Sequence, residues 1–230
     1  MSNQKKRSNL QENLFNLYLR LNGYFITGFI VHSPEWGNNR AEIDALAVRH
    51  PHHSEPERLI EPSPYLQTSS EFTDLLICEV KSKGEQLQFN ESLRNSIQAI
   101  NSVLHWSGLF LDHETQELSY CISQMMQPSE EPKQTISCIT GPRQTQIRVM
   151  LCSPERWTKR NNQTWFIPGS EIFSYLYACF CPDTRRSSCS TQYDFSLWGE
   201  IYEPIVRFFK EHYDKQKPGK MKELYAYLKV

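Results

Sequence analysis

The stretch Asp74–Lys83, DLLICEVKSK, decides the predicted fold, because an apolar run there ends in a carboxylate and an ammonium group. Successive side chains of a strand point to opposite faces, which gives two groups: Leu75, Ile77, Glu79 and Lys81 on one face, and Leu76, Cys78 and Val80 on the other. Both faces begin apolar, which predicts a central strand covered on both sides. Burying either charge alone would cost several kcal/mol, so each needs a partner, a metal, water or a functional site.

Length and composition indicate a chain that can bury a sizeable core. It has 230 residues, 39% of them hydrophobic, and a formal net charge of -1. This suits one globular domain with insertions, or one large and one small domain. No apolar run approaches the roughly 18 residues of a membrane-spanning helix, and the charged N-terminal stretch is not followed by an apolar segment. We therefore expect a soluble, unexported protein with no membrane partner.

The seven cysteines form an odd set without the spacing of a disulfide framework. Several of them, including Cys78 and Cys152, fall in apolar strand-like runs, where a free thiol behaves as a small hydrophobe. A reducing, cytoplasmic location is the expectation. Cys179, Cys181 and Cys189 lack an evident fourth metal ligand, although Cys152 or His212 could approach them in space.

Hydrophobic periodicity and turn residues predict the order of elements along the chain. The predicted elements are a helix over 8–22, strands over 24–33 and 42–50 separated by a turn, a long loop over 51–70, the quoted strand, a helix over 90–106, a strand over 145–153, and helices over 171–181 and 197–213. Residues 107–135 remain ambiguous, since LSYCISQMM suits either a strand or a short helix.

This order predicts an α/β fold in which a mixed central sheet is flanked by helices. The predicted division is a core over 1–153, with a loop insertion at 51–72, and a mostly helical C-terminal extension over 154–230 packed on that core. The apolar helix over 197–213 is expected to serve as core or as a dimer interface.

A second acidic residue belongs to the candidate chemistry. In the strand EIDALAVRH, period-two alternation places four side chains on one face: Glu42, Asp44, Leu46 and Val48. If this strand pairs with the quoted one, Asp44 approaches Glu79 and Lys81. Carboxylate oxygens suit Mg²⁺ or Mn²⁺, which can neutralise phosphoryl oxygens and acidify a bound water, while a lysine orients that water or stabilises the transition state. The pattern is therefore typical of phosphodiester cleavage.

These residues resemble the PD-(D/E)xK nuclease superfamily, which includes restriction endonucleases, Holliday junction resolvases and related repair or defence nucleases. The resemblance rests on Asp44 in EIDALAV, on Glu79 and Lys81 in LLICEVKSK, and on the preceding helix with Glu12 and the pair Gly23-Tyr24. It implies a restriction endonuclease-like fold and a Mg²⁺- or Mn²⁺-dependent nuclease acting on DNA.

The resemblance also implies roles for individual residues. Asp44 and Glu79 would be metal ligands together with the backbone carbonyl of Val80, Lys81 would be the catalytic lysine, and Glu12 an accessory acid. Gln98 is the nearest candidate for a polar group supplied by the following helix. The match covers the first half of the chain, up to about Trp106. No proline precedes Asp44, and the segment between Asp44 and Glu79 is longer than in compact members.

Two rival interpretations stay open. Glu79 and Lys81 could form a surface ion pair at a strand end, with the ExK coincidental in an unrelated mixed domain. Alternatively, the chain could be a non-catalytic nucleic-acid-binding or assembly subunit that keeps the fold. A complete set of two acids and a lysine favours the enzyme, because a scaffold does not need it. A homodimer or a partner protein is compatible with each interpretation.

Basic residues near the predicted strand ends are candidates for nucleic-acid contacts. They are Lys83, Arg156, Lys159 and Arg160, the last three within RWTKRNNQTW. Trp157 and Trp165 in that segment could stack on unpaired bases or pack into the core. The group His50, His52 and His53 lacks a second cluster at metal-ligand spacing and predicts a surface loop.

Overall fold

The quoted stretch forms a strand in the middle of the sheet. In a computed structural model, β3 (Thr73–Val80) pairs antiparallel with β2 (Asn39–Arg49) and parallel with β5 (Thr145–Ser153). Leu76 and Cys78 pack in one hydrophobic cluster, and Leu75 and Ile77 pack in another. The predicted central strand covered on both faces is therefore confirmed.

The structure describes residues 2–32, 39–55, 59–128, 138–157, 166–182, 194–212 and 215–230. Its other elements are β1 (Phe25–His32), β4 (Cys138–Gly141), β6 (Phe166–Pro168), α1 (Asn3–Arg20), α2 (Glu91–Arg94), α3 (Ile97–Ser107), α4 (Asp112–Met126), α5 (Gly169–Phe180), α6 (Phe195–Trp198), a 3-10 turn (Glu200–Tyr202), α7 (Glu203–Glu211) and α8 (Met221–Leu228).

The sheet is mixed and open. Of the six described strands, five run in the order β1-β2-β3-β5-β4, and β6 pairs with the last residues of β5. Helices pack on both faces, so the chain has the predicted α/β architecture. The sequence patterns did not reveal β4 or β6, because strands of four and three residues are too short to show alternation.

Two layers of helices cover the sheet. The first layer, formed by α1, α5, α7 and α8, packs on one face, and the second layer, formed by α2, α3 and α4, packs on the other. The first layer joins residues from both sides of position 153, such as Leu14 and Phe173. The predicted division into 1–153 and 154–230 stays a prediction, although β6 and α5 extend the sheet and its helical cover beyond residue 153.

Several helices differ from the predicted ones for local reasons. The helix predicted over 90–106 is interrupted before Ser96, whose Oγ accepts a hydrogen bond of 3.2 Å from the Ala99 N–H and so starts α3. The helix predicted over 197–213 is interrupted at Gly199, where φ is +118°. The ambiguous LSYCISQMM belongs to α4, and α8 was not predicted.

The predicted turn at 33–40 lies outside the described residues except for its last two positions, which begin β2. Within the described part of 51–72, no helix or strand occurs, as expected of a long connection. In the described ranges, no helix is both long enough and apolar enough to span a membrane.

A buried network of charges lies where β3 begins. The Arg148 Nε donates to Asp74 Oδ1 at 3.0 Å, and Arg148 Nη2 and the Tyr24 hydroxyl both contact Asp74 Oδ2. Arg49 lies 4.0 Å from the same carboxylate and donates to the Leu66 carbonyl at 2.7 Å. Side chains from β2, β3 and β5, and Tyr24 just before β1, are thus joined around one acid, which sequence patterns did not indicate.

Candidate active site

The acid and the lysine of the quoted stretch form a buried pair at the end of β3. The Lys81 Nζ lies 2.8 Å from Glu79 Oε2, and both side chains are nearly inaccessible to solvent. The Lys81 N–H donates to the Cys152 carbonyl at 2.8 Å, so β5 holds the backbone beside the lysine. The alternative interpretation, a surface ion pair, is wrong for this contact, because both Glu79 and Lys81 are buried.

Asn90 completes this pair and was missed by sequence analysis. Its backbone N–H donates to Glu79 Oε2 at 2.9 Å, and its side-chain Oδ1 accepts from Lys81 Nζ at 2.7 Å. Asn90 immediately precedes α2, so the start of that helix fixes the position of both charged groups. Its position before Glu91 marks a helix start in the sequence, but nothing there predicts contact with a residue eleven positions earlier.

Asp44 reaches the same strand end from β2. The described pairing of β2 with β3 ends at Ala45 opposite Cys78, so Asp44 and Glu79 are the next residues on their strands. The Asp44 Oδ2 accepts a hydrogen bond of 2.7 Å from the Val80 N–H. This carboxylate therefore caps the backbone between the two predicted site residues of β3.

A register shift orients Asp44. Opposite Asp44 and Ala45, the pairing of β1 with β2 slips by one residue between Thr27 and Phe29. Ile43 and Leu46 consequently pack in the same layer, which strict alternation forbids. The predicted face shared by Glu42, Asp44, Leu46 and Val48 is wrong, because the bulge interrupts the period-two pattern.

Burial controls the electrostatics of the site. Burial, together with the negative charges of Glu12 and Glu79, raises the pKa of Asp44 to about 7. The hydrogen bond from Val80 and the charge of Lys81 act in the opposite direction. Burial also raises the pKa of Glu79, against the attraction of Lys81. The carboxylates thus carry a cost of desolvation that a bound cation would relieve.

We expect Asp44→Asn to stabilise the metal-free protein at neutral pH. The pKa of Asp44 is higher in the folded protein than in the unfolded chain. The wild type therefore loses stability as the pH rises from about 4, where the carboxyl of the unfolded chain ionises, to about 7. Asparagine can still accept the Val80 hydrogen bond without carrying that cost. The gain should be near zero at pH 4 and reach about 2 kcal/mol above pH 7, below the full conversion of the shift because Asp44 is partly exposed.

Urea denaturation of both proteins in EDTA, between pH 4 and 8.5, measures this difference. Asp112→Asn is the matched control, because the Asp112 side chain is 97% exposed and its contact with His105, at 3.4 Å, is open to solvent; it should change the free energy of unfolding by less than about 1 kcal/mol. A gain that does not vary with pH, or a loss of stability at pH 8, would contradict the assignment of a costly Asp44 carboxylate.

Glu12 and its neighbour connect α1 to the site. The charge of Glu12 acts on Asp44, and its Oε1 accepts a hydrogen bond of 3.0 Å from Ser8. The buried Gln11, which sequence analysis missed, donates from Nε2 to Ser82 Oγ at 3.1 Å. The helix therefore brings one acid near Asp44 and holds the segment that follows Lys81.

The donor atoms fit a divalent cation in one respect that the structure shows directly. Glu79 Oε1 is buried and has no hydrogen-bond partner among the described residues, whereas Oε2 is occupied by Lys81 and Asn90. An unpartnered buried carboxylate oxygen is a hard ligand of the type that Mg²⁺ and Mn²⁺ prefer. Within the described ranges, no three His, Cys, Asp or Glu side chains form a group that could hold a metal. The role of the Val80 carbonyl as a ligand stays a prediction.

Of the residues predicted to contact nucleic acid, Lys83 and Arg156 lie next to each other near the site. Arg156 Nη2 donates to the Lys83 carbonyl at 3.1 Å, which places both residues just beyond Lys81. Gln98 is exposed on α3, and no hydrogen bond in the described part of the chain joins it to the site. Lys159 and Arg160 lie outside the described residues, as does Trp165.

Trp157 is a packing residue. Its ring centroid lies 6.2 Å from that of Phe173, and the Lys220 Nζ lies 5.0 Å from the Trp157 ring centroid. A half-buried ring with a lysine over it does not offer an open face to a base. Between the two interpretations of Trp157, the structure supports packing.

No protein-family model, curated protein or solved structure matches this chain.

Proposed function

We propose that this protein is a metal-dependent nuclease that hydrolyses phosphodiester bonds in DNA. The observation that supports the proposal most directly is the convergence of Asp44, from the middle of β2, with Glu79 and Lys81 at the end of β3. These three groups come from segments separated by a long connection, yet Val80 links them through its backbone. Two acids and one lysine at such a junction match the donor set of phosphodiester hydrolysis.

The carboxylates would hold the cation. Asp44 presents a carboxylate that caps the Val80 N–H, and Glu79 presents the unpartnered oxygen Oε1. When bound, Mg²⁺ or Mn²⁺ would withdraw charge from the phosphoryl oxygens and lower the pKa of a water molecule. The chain itself supplies a site in which solvent is largely excluded around Glu79, so the charge of each group acts strongly on its neighbours.

Lys81 would position the attacking water and stabilise the charge that develops on phosphorus oxygens. Its ammonium group is fixed by Glu79 and by Asn90, so its direction is set before substrate binds. Glu12 would assist as a nearby acid through its effect on Asp44. The finer description of the fold as restriction endonuclease-like belongs to the same proposal.

A nuclease assay tests the proposal. Plasmid, single-stranded DNA and RNA are incubated with the protein in Mg²⁺ or Mn²⁺ and in EDTA, beside Asp44→Ala and Lys81→Ala. Metal-dependent cutting of DNA that both variants lose supports the proposal. Binding of DNA without cutting contradicts the catalytic assignment.

The second candidate function is a non-catalytic nucleic-acid-binding or assembly subunit. The observation that favours it is that the Lys81 ammonium group already has two partners within the chain, Glu79 and Asn90. In that case the buried pair would specify the fold rather than a reaction. The same assay distinguishes this candidate, because it predicts binding with no metal-dependent product.

A further inference from the structure

Four cationic side chains surround the turn that follows β5. Arg7 comes from α1, Lys83 from the segment after β3, Arg156 from the turn itself, and Lys220 from the start of α8. We call this set the basic rim. Arg7, Lys83 and Lys220 are exposed, and Arg156 is partly exposed.

Two members of the basic rim are joined through the backbone. Arg156 Nη2 donates to the carbonyl of Lys83 at 3.1 Å and also contacts the carbonyl of Glu85. The Lys83 N–H donates in turn to Glu155 Oε2 at 2.7 Å. The segment that leaves Lys81 is thus held against the turn after β5.

The two ends of the described chain bring in the other members. The Arg7 guanidinium carbon lies 4.8 Å from the Tyr225 ring centroid, and Arg7 Nη2 donates to the Val230 carbonyl at 3.2 Å. Tyr225 donates from its hydroxyl to Glu155 Oε1 at 3.0 Å. Lys220 lies over Trp157, which follows Arg156 in the sequence. One turn therefore connects cations from four separate segments.

The basic rim borders the candidate active site. Lys83 is two residues beyond Lys81, and Gln11, one helical turn after Arg7, donates to Ser82 between them. A strand of nucleic acid whose phosphate lies at Lys81 would therefore have its neighbouring phosphates beside these cations.

The carboxylates of Glu155 and Glu85 lie at this turn and offset two of the four positive charges of the basic rim, so positive charge stays in excess. Both oxygens of Glu155 accept internal hydrogen bonds, from Lys83 and Tyr225, and Glu85 Oε2 accepts one of 2.6 Å from the Ser82 N–H. Arg7 lies over the ring of Tyr225 and Lys220 over that of Trp157, so neither ring offers a free face on which a base could stack. The chemistry that remains is recognition of phosphate, which is independent of base sequence.

We propose that the basic rim binds the phosphate backbone of DNA and directs it to Lys81. This inference rests on the proposed function for the identity of the polyanion. Binding is then driven by release of counterions, so the affinity falls steeply with salt, and each cation that contacts a phosphate contributes about one unit to the slope of log K against log salt.

The test is a salt titration of DNA binding by the full chain. Arg7→Gln/Lys220→Gln removes two rim cations whose described contacts are with Tyr225, Val230 and Trp157, not with Asp44 or Glu79. Arg143→Gln/Arg207→Gln is the matched control, because Arg143 contacts Glu114 and Leu109 at the opposite end of β5, and Arg207 pairs with Glu203 on α7. Fluorescence anisotropy with a labelled duplex of roughly 30 base pairs, in EDTA to prevent cleavage, gives the affinity at each salt concentration.

The rim variant should bind roughly tenfold more weakly or worse at 0.1 M salt, with a salt slope smaller by about two, while the control keeps the wild-type slope. Arg7→Lys/Lys220→Arg keeps both positive charges and should therefore keep the wild-type affinity and the wild-type salt slope. An unchanged slope, or an equal loss in the control, would overturn the inference. So would competition by a polyacidic peptide as effective as that by DNA, because the surface would then be a site for an acidic protein.

The outcome is separable from that of the proposed function. If the wild type binds DNA through the rim but does not cut it, the catalytic proposal fails and the rim stands. If the wild type cuts DNA and the rim variant cuts and binds equally well, the rim fails and the catalytic proposal stands.

Discussion

Replacing Lys81 by methionine is expected to reduce metal-dependent cleavage of DNA by a factor of about 10² to 10³. Methionine keeps an unbranched side chain of similar length, so the main change is loss of the ammonium group. Without it, nothing holds a positive charge beside Glu79 and Asn90, where the structure now fixes one. Single-turnover cleavage of a labelled duplex measures the loss.

Stability has to be separated from catalysis in this experiment, because Lys81→Met leaves the buried Glu79 without its cation. Removing one partner of a buried pair costs about 3 to 5 kcal/mol when the other stays charged, and less here if Glu79 takes up a proton, since its pKa is already raised. Glu79→Gln/Lys81→Met removes both charges and should recover most of the stability without recovering cleavage. If the Lys81→Met variant cuts DNA at the wild-type rate, Lys81 neither positions the attacking water nor stabilises the developing charge.

Asp74→Ala is expected to lower the free energy of unfolding by about 3 to 5 kcal/mol. The substitution leaves the Arg148 guanidinium buried without its carboxylate, and it removes the acceptor of the Tyr24 hydroxyl. Burial lowers the pKa of Arg148, but the charge and the hydrogen bond of Asp74 act against it and the net shift is upward, so the arginine is charged in the folded protein. Urea denaturation at pH 7 measures the change, with Asp112→Ala as an exposed control.

A double variant tests whether the stability lost in Asp74→Ala comes from the uncompensated charge of Arg148. Asp74→Leu/Arg148→Met replaces the ionic contact by apolar side chains and should recover part of the lost stability. Asp74 lies five residues from Glu79 along β3, roughly 17 Å away, so cleavage per folded molecule should be unchanged in every variant that folds. A loss below about 1 kcal/mol for Asp74→Ala would mean that the network is hydrated in the folded state.

The sequence predicts the centre of the fold well because its signals are local there. The alternation in Leu75, Leu76, Ile77 and Cys78 requires a strand with two apolar faces, and the structure gives each face its own hydrophobic layer. The strand over Thr145–Ser153 was predicted with its observed bounds for the same reason. Long apolar runs leave few alternatives once the chain must bury them.

Contacts between distant segments could not be predicted in this way. Asp74 opens the quoted stretch, but its partner Arg148 is 74 residues further along and lies within a strand that reads as apolar. Asn90 resembles an ordinary helix cap, and its contacts with Glu79 and Lys81 depend on where the chain returns to the sheet. The bulge at Asp44 depends on its pairing with β1 and leaves no mark in the alternation of EIDALAV.

The structure places these residues so that stability and proposed chemistry use different ends of the same strand. At the start of β3, Asp74 is satisfied by Arg148 and Tyr24. At its end, Glu79 keeps one buried oxygen without a partner among the described residues, and the pKa of Asp44 is raised to about 7. Incomplete satisfaction at the second place is what a ligand site requires, and complete satisfaction at the first is typical of a structural network.

The most direct test of the central claim is an anomalous-scattering measurement on crystals soaked in Mn²⁺. We predict a peak at coordination distance, roughly 2 Å, from an oxygen of Asp44 and from Glu79 Oε1, and its loss in Asp44→Asn. A wild-type crystal with Mn²⁺ bound elsewhere and none between these carboxylates, or with the two side chains turned away from each other, would contradict the account.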